Sequence, residues 1–369
     1  MIKINYLATI NDELEEYYSI FKFSEDLEKS YNEFIKKNKF KLTKFSRTSL
    51  KNIILCSFED LIEIYFELKK IKLTDNEKYD LQKIFDYDSF QSQISMFFML
   101  KEKVINLATC YYCNIDYINN FRDLKDFPNV IDFIKFGTEK DFNKIVGIGK
   151  KTTQIILKNR NNLKTEKDLK KLKINSQQIE NLKNFKLNKE YNHFTLDHIV
   201  DKGDFPLFSL SIYNFVPSCF SCNSKFKKVR KLFQNKNDVL LSPTSKYFSF
   251  NEDVKFKFKL VNCIKNIDDI KSHEDFILEL VYRNPIYRKY INTFKLDGRY
   301  KFHKNSVFDL ISLSQTYSPS RIIEISELVG KTTTEVKKDI FGEEIYESNL
   351  EKKPLSKLKK DIAQILNLI

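Results

Sequence analysis

The chain has 369 residues, 42% of them hydrophobic and 14% aromatic, which is ample for packed cores and long enough for two or three domains. A net charge of +13 and a pI near 9.1 make a polyanion the natural partner, with a solvated lysine-rich surface as the plain alternative. No apolar run reaches the roughly 18 residues of a membrane span, and the first residues lack a basic-then-apolar leader. The chain therefore reads as cytoplasmic, where paired cysteines suggest metal rather than disulfides.

Residues 1–105 read as mainly helical. The stretch 50–73 places apolar residues at three- and four-residue spacing and 75–98 continues it, as helices packed on one face do. Cys56 falls inside this pattern with nothing basic beside it, so it reads as a buried structural thiol. From 106 to 121 the character changes. Cys110 and Cys113 form a CxxC, followed by Ile115, Tyr117 and Phe121, a knuckle turning into a short strand. Residues 126–137 make an apolar connection.

The segment 141–172 reads as a separate unit. A short amphipathic helix leads into Gly147-Ile148-Gly149. A second helix follows, with Thr153, Ile156 and Leu157 on one side and Lys150, Lys151, Lys158 and Arg160 available to solvent. This pattern resembles the helix-hairpin-helix motif, and 162–172 resembles its extended form. The resemblance implies a tight turn whose glycines let the backbone approach a phosphate, with helix N-terminal N–H groups facing the anion. Gly147, Gly149, Lys150, Lys151 and Thr152 are then the expected nucleic-acid contacts. The alternative is an ordinary glycine-containing helical turn.

Residues 194–228 carry the densest chemistry. The run from His193 reads as a strand leading into Asp197-His198, 209–216 as a second strand ending at Pro217, and 223–236 as a polar, basic helix. Cys219 and Cys222 form a second CxxC, followed directly by Asn223, and the two pairs together supply a four-cysteine zinc site. His198 titrates near neutrality and suits proton abstraction from water. Asp197 and Asn223 offer oxygens to a hard divalent ion, and Asn214 can fix backbone or ring near His198. Neighbours in a strand point to opposite sides, so Asp197 and His198 need a bend or a strand end to reach one phosphate. The structural alternatives are a zinc ribbon without chemistry, a core histidine at 198 and a helix cap at Asn223. His193 reads as a strand residue with some chance of touching substrate, His273 and His303 as surface residues in helical contexts, and Cys263 as structural.

Asp197-His198, Asn214 and Asn223, with Cys110, Cys113, Cys219 and Cys222, resemble the HNH endonuclease family in its variant where Asn replaces the last His. The wording around the motif looks most like HNH proteins of bacterial antiphage defence systems. The resemblance implies a ββα-metal core in which His198 activates the attacking water. Asp197 and Asn223 would bind one catalytic Mg²⁺ or Mn²⁺, and Asn214 would orient the histidine's loop. Lys225 and Lys228 would approach the nucleic-acid backbone, and the four cysteines would hold a structural zinc. The match covers roughly 110–120 and 190–235, and departs from the family in the long insertion between the knuckles.

The expected fold is α+β and mainly helical. Its parts are an N-terminal helical region (1–105), the first knuckle and strand (106–136), the helix-hairpin-helix insertion (137–187), the ββα-metal core (188–240) and a mixed C-terminal region (241–369). In the last, 248–260 reads as a half-exposed strand, 274–310 as two helices, 320–341 as a helix broken near Gly330, and 354–369 as a lysine-rich amphipathic helix. The expected function is a metal-dependent DNA endonuclease serving defence, with RNA left open as substrate. The alternatives are a nuclease subunit silent until a partner such as an ATPase releases it, and a zinc-dependent nucleic-acid-binding protein without turnover.

Overall fold

The computed structural model describes residues 1–4, 11–21, 25–37, 49–100, 105, 107–122, 127, 129–185, 190–228, 232–261 and 264–369. Cys263 and parts of the expected connection at 126–137 and basic helix at 223–236 lie outside the described residues. The chain forms two compact units, one made of Met1–Asn119 with His193–Ile369, the other of Asn120–Asn192. Helices and three two-stranded antiparallel sheets among the described residues make the fold α+β, mainly helical.

The larger unit begins with α1 (Asn11–Ser19), α2 (Glu25–Lys37), α3 (Leu50–Leu55), α4 (Phe58–Ile71), α5 (Asp75–Ile84) and α6 (Tyr87–Leu100). The periodic stretch 50–73 is two helices because Cys56 takes extended backbone and Ser57 caps a new helix, its side chain accepting from the Asp60 N–H. Thr74 and Glu77 start α5 with a reciprocal capping box. The apolar faces bury Phe58, Leu61, Leu81 and Phe98 in one core with Leu207, Phe208 and Phe215.

The smaller unit opens and closes on a pair of strands, β1 (Asn120–Arg122) against β2 (Glu190–Asn192). Between them lie α7 (Val130–Phe136), α8 (Glu139–Phe142), α9 (Lys150–Asn159) and α10 (Ser176–Asn184), around a core of their own that includes Phe133, Phe142, Ile156 and Leu182. The unit runs wider than 137–187 and takes in part of 106–136.

Its sequence also repeats, which the reading of the glycines alone passes over. Thr138-Glu139-Lys140-Asp141 recurs as Thr165-Glu166-Lys167-Asp168, each followed by a buried Phe142 or Leu169. The carboxylates act alike. Asp141 accepts from the Thr138 N–H at 3.0 Å and Asp168 from the Thr165 N–H at 2.8 Å. Each box opens a short helical turn, and a longer helix follows, α9 in the first copy and α10 in the second.

The larger unit resumes with β3 (Thr195–His198), paired antiparallel to β4 (Phe215–Ser218) so that Asp197 faces Val216 and His198 faces Phe215. The second strand therefore lies later than 209–216. Pro206 starts a 3₁₀ turn, and the N–H groups of Ser209, Ser211 and Asn214 bond carbonyls three residues back rather than a neighbouring strand. The expected helix at 223–236 is a π-helical turn, Ser221–Lys227, ended by Lys228 at φ +46°.

The remainder is α11 (Phe250–Asp253), β5 (Val254–Leu260), β6 (Phe276–Tyr282), α12 (Tyr287–Phe294), α13 (Leu296–Lys301), α14 (Lys304–Thr316), α15 (Pro319–Val329), α16 (Thr333–Phe341) and α17 (Ser356–Ile365). The start of 274–310 is a strand, not a helix. Phe276 and Leu278 are buried while Ile277 between them is 55% exposed, a period of two that apolar residues on both faces conceal. The break near Gly330 is as expected, since its φ of +67° closes α15.

Candidate metal centre and the strand beside it

Cys110, Cys113, Cys219 and Cys222 are all buried, and their sulfurs lie within 4.8 Å of one another. Tetrahedral zinc with Zn–S bonds of about 2.3 Å needs sulfurs about 3.8 Å apart, and Cys113 and Cys219 are 4.0 Å apart across 106 residues of chain. The donor set and spacing fit a metal ion such as zinc. Backbone N–H groups already point at the thiols, from Ile115 to Cys113 and from Cys222 to Cys219, both at 3.4 Å. Arg299 supplies positive charge from α13, its guanidinium 3.2 Å from the Cys222 sulfur and 3.4 Å from Cys113. It is held there by Asp116 at 3.1 Å and by the ring of Phe226. Four thiolates around Zn²⁺ carry net negative charge, so a guanidinium at this distance favours the loaded form.

The first knuckle also anchors the far end of the chain. Asn114 sits in the left-handed region at φ +52°, fully buried. Its amide donates to the carbonyls of Leu350 and Lys353 at 3.1 and 3.2 Å, and its oxygen accepts from the Lys357 N–H at 3.0 Å. The Tyr300 hydroxyl donates to the Cys113 carbonyl.

Asp197 and His198 meet different surroundings. Asp197 is 5% exposed, and Lys227 reaches it from the π-helical turn, with Nζ 2.8 Å from Oδ1 and 2.6 Å from Oδ2. The Tyr112 hydroxyl, from inside the first CxxC, donates to Oδ2. Burial, then the Asp197 charge, push the Tyr112 phenol far above its ordinary pKa, so it stays a donor. Of the two residues expected to hold a catalytic Mg²⁺ or Mn²⁺, Asp197 does not fit that group. Asp197 is already paired with a buried cation, and Asn223 lies half-buried as the third residue of the π-helical turn.

His198 ends β3 with its ring against Tyr87 and Phe215, at centroid distances of 4.7 and 4.8 Å. Its Nε2 lies 3.0 Å from the Ser209 carbonyl. A carbonyl only accepts, so Nε2 carries the proton and Nδ1 the lone pair. Burial pulls the imidazole pKa down to about 4, and the charges of Lys202 and Lys227 act in the same direction. The ring is therefore neutral at pH 7. Asn214 is fully buried, donates to the carbonyls of Val200 and Phe208 at 3.0 Å each, and accepts from the Val200 N–H at 2.8 Å. It pins the loop that follows the histidine.

Lys225 and Lys228 are exposed, and so is His193, which lies between β2 and β3 rather than in a strand. His273 precedes β6 and pairs with Glu274, away from this site, whereas His303 precedes α14 with its ring near Tyr300, within electrostatic reach of Arg299, Asp116 and Cys113. Cys56 is half-buried at the end of α3.

In the smaller unit, Gly147 takes φ +79°, where a Cβ would be strained, and Gly149 caps α9 with no side-chain hydrogen bond. A Cβ on Gly149 would meet nothing within 4 Å, so the approach to this helix start is open. Lys150 and Lys151 are exposed, whereas the Thr152 hydroxyl accepts from Gln178 at 3.2 Å. In the second copy Asn175 stands in the glycine's place and caps the start of α10 by accepting from the Gln178 N–H at 2.8 Å.

The residues that sequence reasoning missed are Tyr112, Lys227 and Arg299. Tyr112 was readable as a neighbour of two ligands, but nothing in the sequence separates Lys227 from Lys225 and Lys228, or links Arg299 to cysteines far away. Among the described residues no helix is long and apolar enough to cross a membrane. No family model, curated protein or solved structure matches the chain.

Proposed function

We propose that the protein hydrolyses phosphodiester bonds in nucleic acid, DNA in the first instance, with His198 as the base that takes the proton from water. One observation supports this reading above the others: a neutral imidazole at the end of β3, its Nε2–H committed to the Ser209 carbonyl and its Nδ1 left as proton acceptor. The antiparallel pair β3–β4 followed by a helical turn, with a cysteine cluster behind it, has the element order expected of an HNH core. A basic chain and a helix-hairpin-helix-like turn with an open helix start suit a sugar-phosphate partner. A divalent ion, when bound, would stabilise charge on the phosphate and the departing oxygen. Asp197 does not fit that ion, and no step is assigned to it.

The test is nicking of supercoiled plasmid by zinc-loaded protein with Mg²⁺, Mn²⁺ or EDTA, beside His198→Ala. Nicking lost in the variant supports the reading. Because the imidazole pKa lies near 4, cleavage should stay flat from about pH 5.5 to 8 rather than fall through 6.5. Plasmid left intact by wild type under every condition sinks it. That outcome favours a second reading, a zinc-dependent nucleic-acid-binding protein without turnover, to which the Lys227–Asp197 pair lends weight.

A further inference from the structure

We infer that Asp197 is the fixed counter-ion of Lys227 rather than a ligand of a divalent cation, so that the cation at this carboxylate is built into the chain. An ionised carboxylate offers about four acceptor positions and an ammonium three donors. Asp197 accepts from Lys227 at both oxygens and from Tyr112 at Oδ2. Lys227 divides its donors between those two oxygens and the His198 carbonyl, at 2.5 Å. Both side chains are almost wholly buried, at 7% and 6% exposure.

A divalent ion could join Asp197 only by sharing it with an ammonium less than 3 Å away, or by driving that ammonium out of its pocket. The first sets like charges together, and the second leaves the His198 carbonyl without its donor. The π-helical turn explains how the lysine arrives. The turn is wider than an α-helix and ends at Lys228, leaving Lys225 and Lys228 exposed and Lys227 inside. The pair ties that turn to β3 and, through the His198 carbonyl, fixes the peptide that carries the imidazole. Any divalent ion this chain uses then sits on other donors.

The inference bears on the proposed nuclease reading, but its test does not pass through cleavage. Zinc-loaded whole protein is titrated with Mn²⁺ by electron paramagnetic resonance, as wild type, Asp197→Asn, Lys227→Met and the double variant, and each is melted. The expected result is superimposable Mn²⁺ titrations for wild type and Asp197→Asn. Each single variant should melt below wild type and the double variant above both singles, since it leaves no unpaired buried charge. A stoichiometric Mn²⁺ site in wild type that Asp197→Asn loses would overturn the inference, and so would a double variant no more stable than Lys227→Met. If Asp197→Asn does not fold, the comparison of Lys227→Met with the double variant still decides. Plasmid left uncut, with the Mn²⁺ and melting results as expected, would fail the nuclease reading alone.

Discussion

The two units differ in the charge around their candidate sites. The larger one encloses part of its charge: Lys227 with Asp197, Lys357 with Asp361 and Arg299 against the thiols are all buried or nearly so, each with its partner in reach. The smaller one packs around Phe142, Ile156 and Leu169, buries Asp141 as a capping carboxylate, and leaves lysines at the surface beside a helix start that no side chain caps. Enclosed, satisfied charge fixes geometry, because in a low dielectric each group is costly to leave unpaired. Surface charge beside open N–H groups fixes nothing until a partner arrives. On the proposed reading, the larger unit holds groups in place and the smaller one makes contact.

The sharpest way to break this contrast is to remove the metal ligand set. Cys219→Ser should lower zinc content towards zero, and structural zinc is worth about 10–16 kcal/mol in small zinc-binding peptides. Amides around both knuckles and β3 should then exchange fast while those of α8 and α9 keep their protection. Equal loss in both units would mean that they do not stand apart.

A smaller effect comes from the half-buried imidazole. Unfolded histidine takes up its proton below about pH 6.5, whereas His198 in the fold does so only near 4, so the unfolded state binds more protons between these values. Stability is lost as pH falls through that window, by at most about 3 kcal/mol. His198→Phe should remove that part of the slope in urea melts at pH 4.5 and 7, and an unchanged slope would place the ring in water.

The smallest change in stability is expected from Lys150→Ala with Lys151→Ala. The melting temperature should not move, but the salt dependence of DNA binding should flatten by up to about two units. An unaltered slope would separate the open helix start from phosphate contact.

How legible was all this beforehand? The cysteine cluster was, because ligand spacing within each knuckle is a local property and four thiols have few other uses. Helix limits were legible where a cap residue stood, as at Thr74 and Gly330, and less so at Ser57, where periodicity ran on through the break. The strand at Phe276–Tyr282 was lost because apolar side chains occupy both of its faces. The pairing at Asp197 was beyond reach, since one residue of helical register decides whether Lys227 or a neighbour turns inward, and an α-helical reading puts that register in the wrong place. The duplicated Thr-Glu-Lys-Asp box was plain in the letters but masked by the glycines, which only the first copy retains.

The separation of the two knuckles also sets an order of events. Cys113 waits for Cys219, and ribosomes adding about 5–20 residues per second need roughly 5–20 s to supply it. Asn120–Asn192 is contiguous and complete before the second knuckle exists, so it can fold while its host is still unmade. Asn114 then waits longer still, for the carbonyls of Leu350 and Lys353. Until Cys219 and Cys222 are made, half of the thiol cluster lacks its partners, so the four-cysteine site is completed only after the smaller unit has been synthesised.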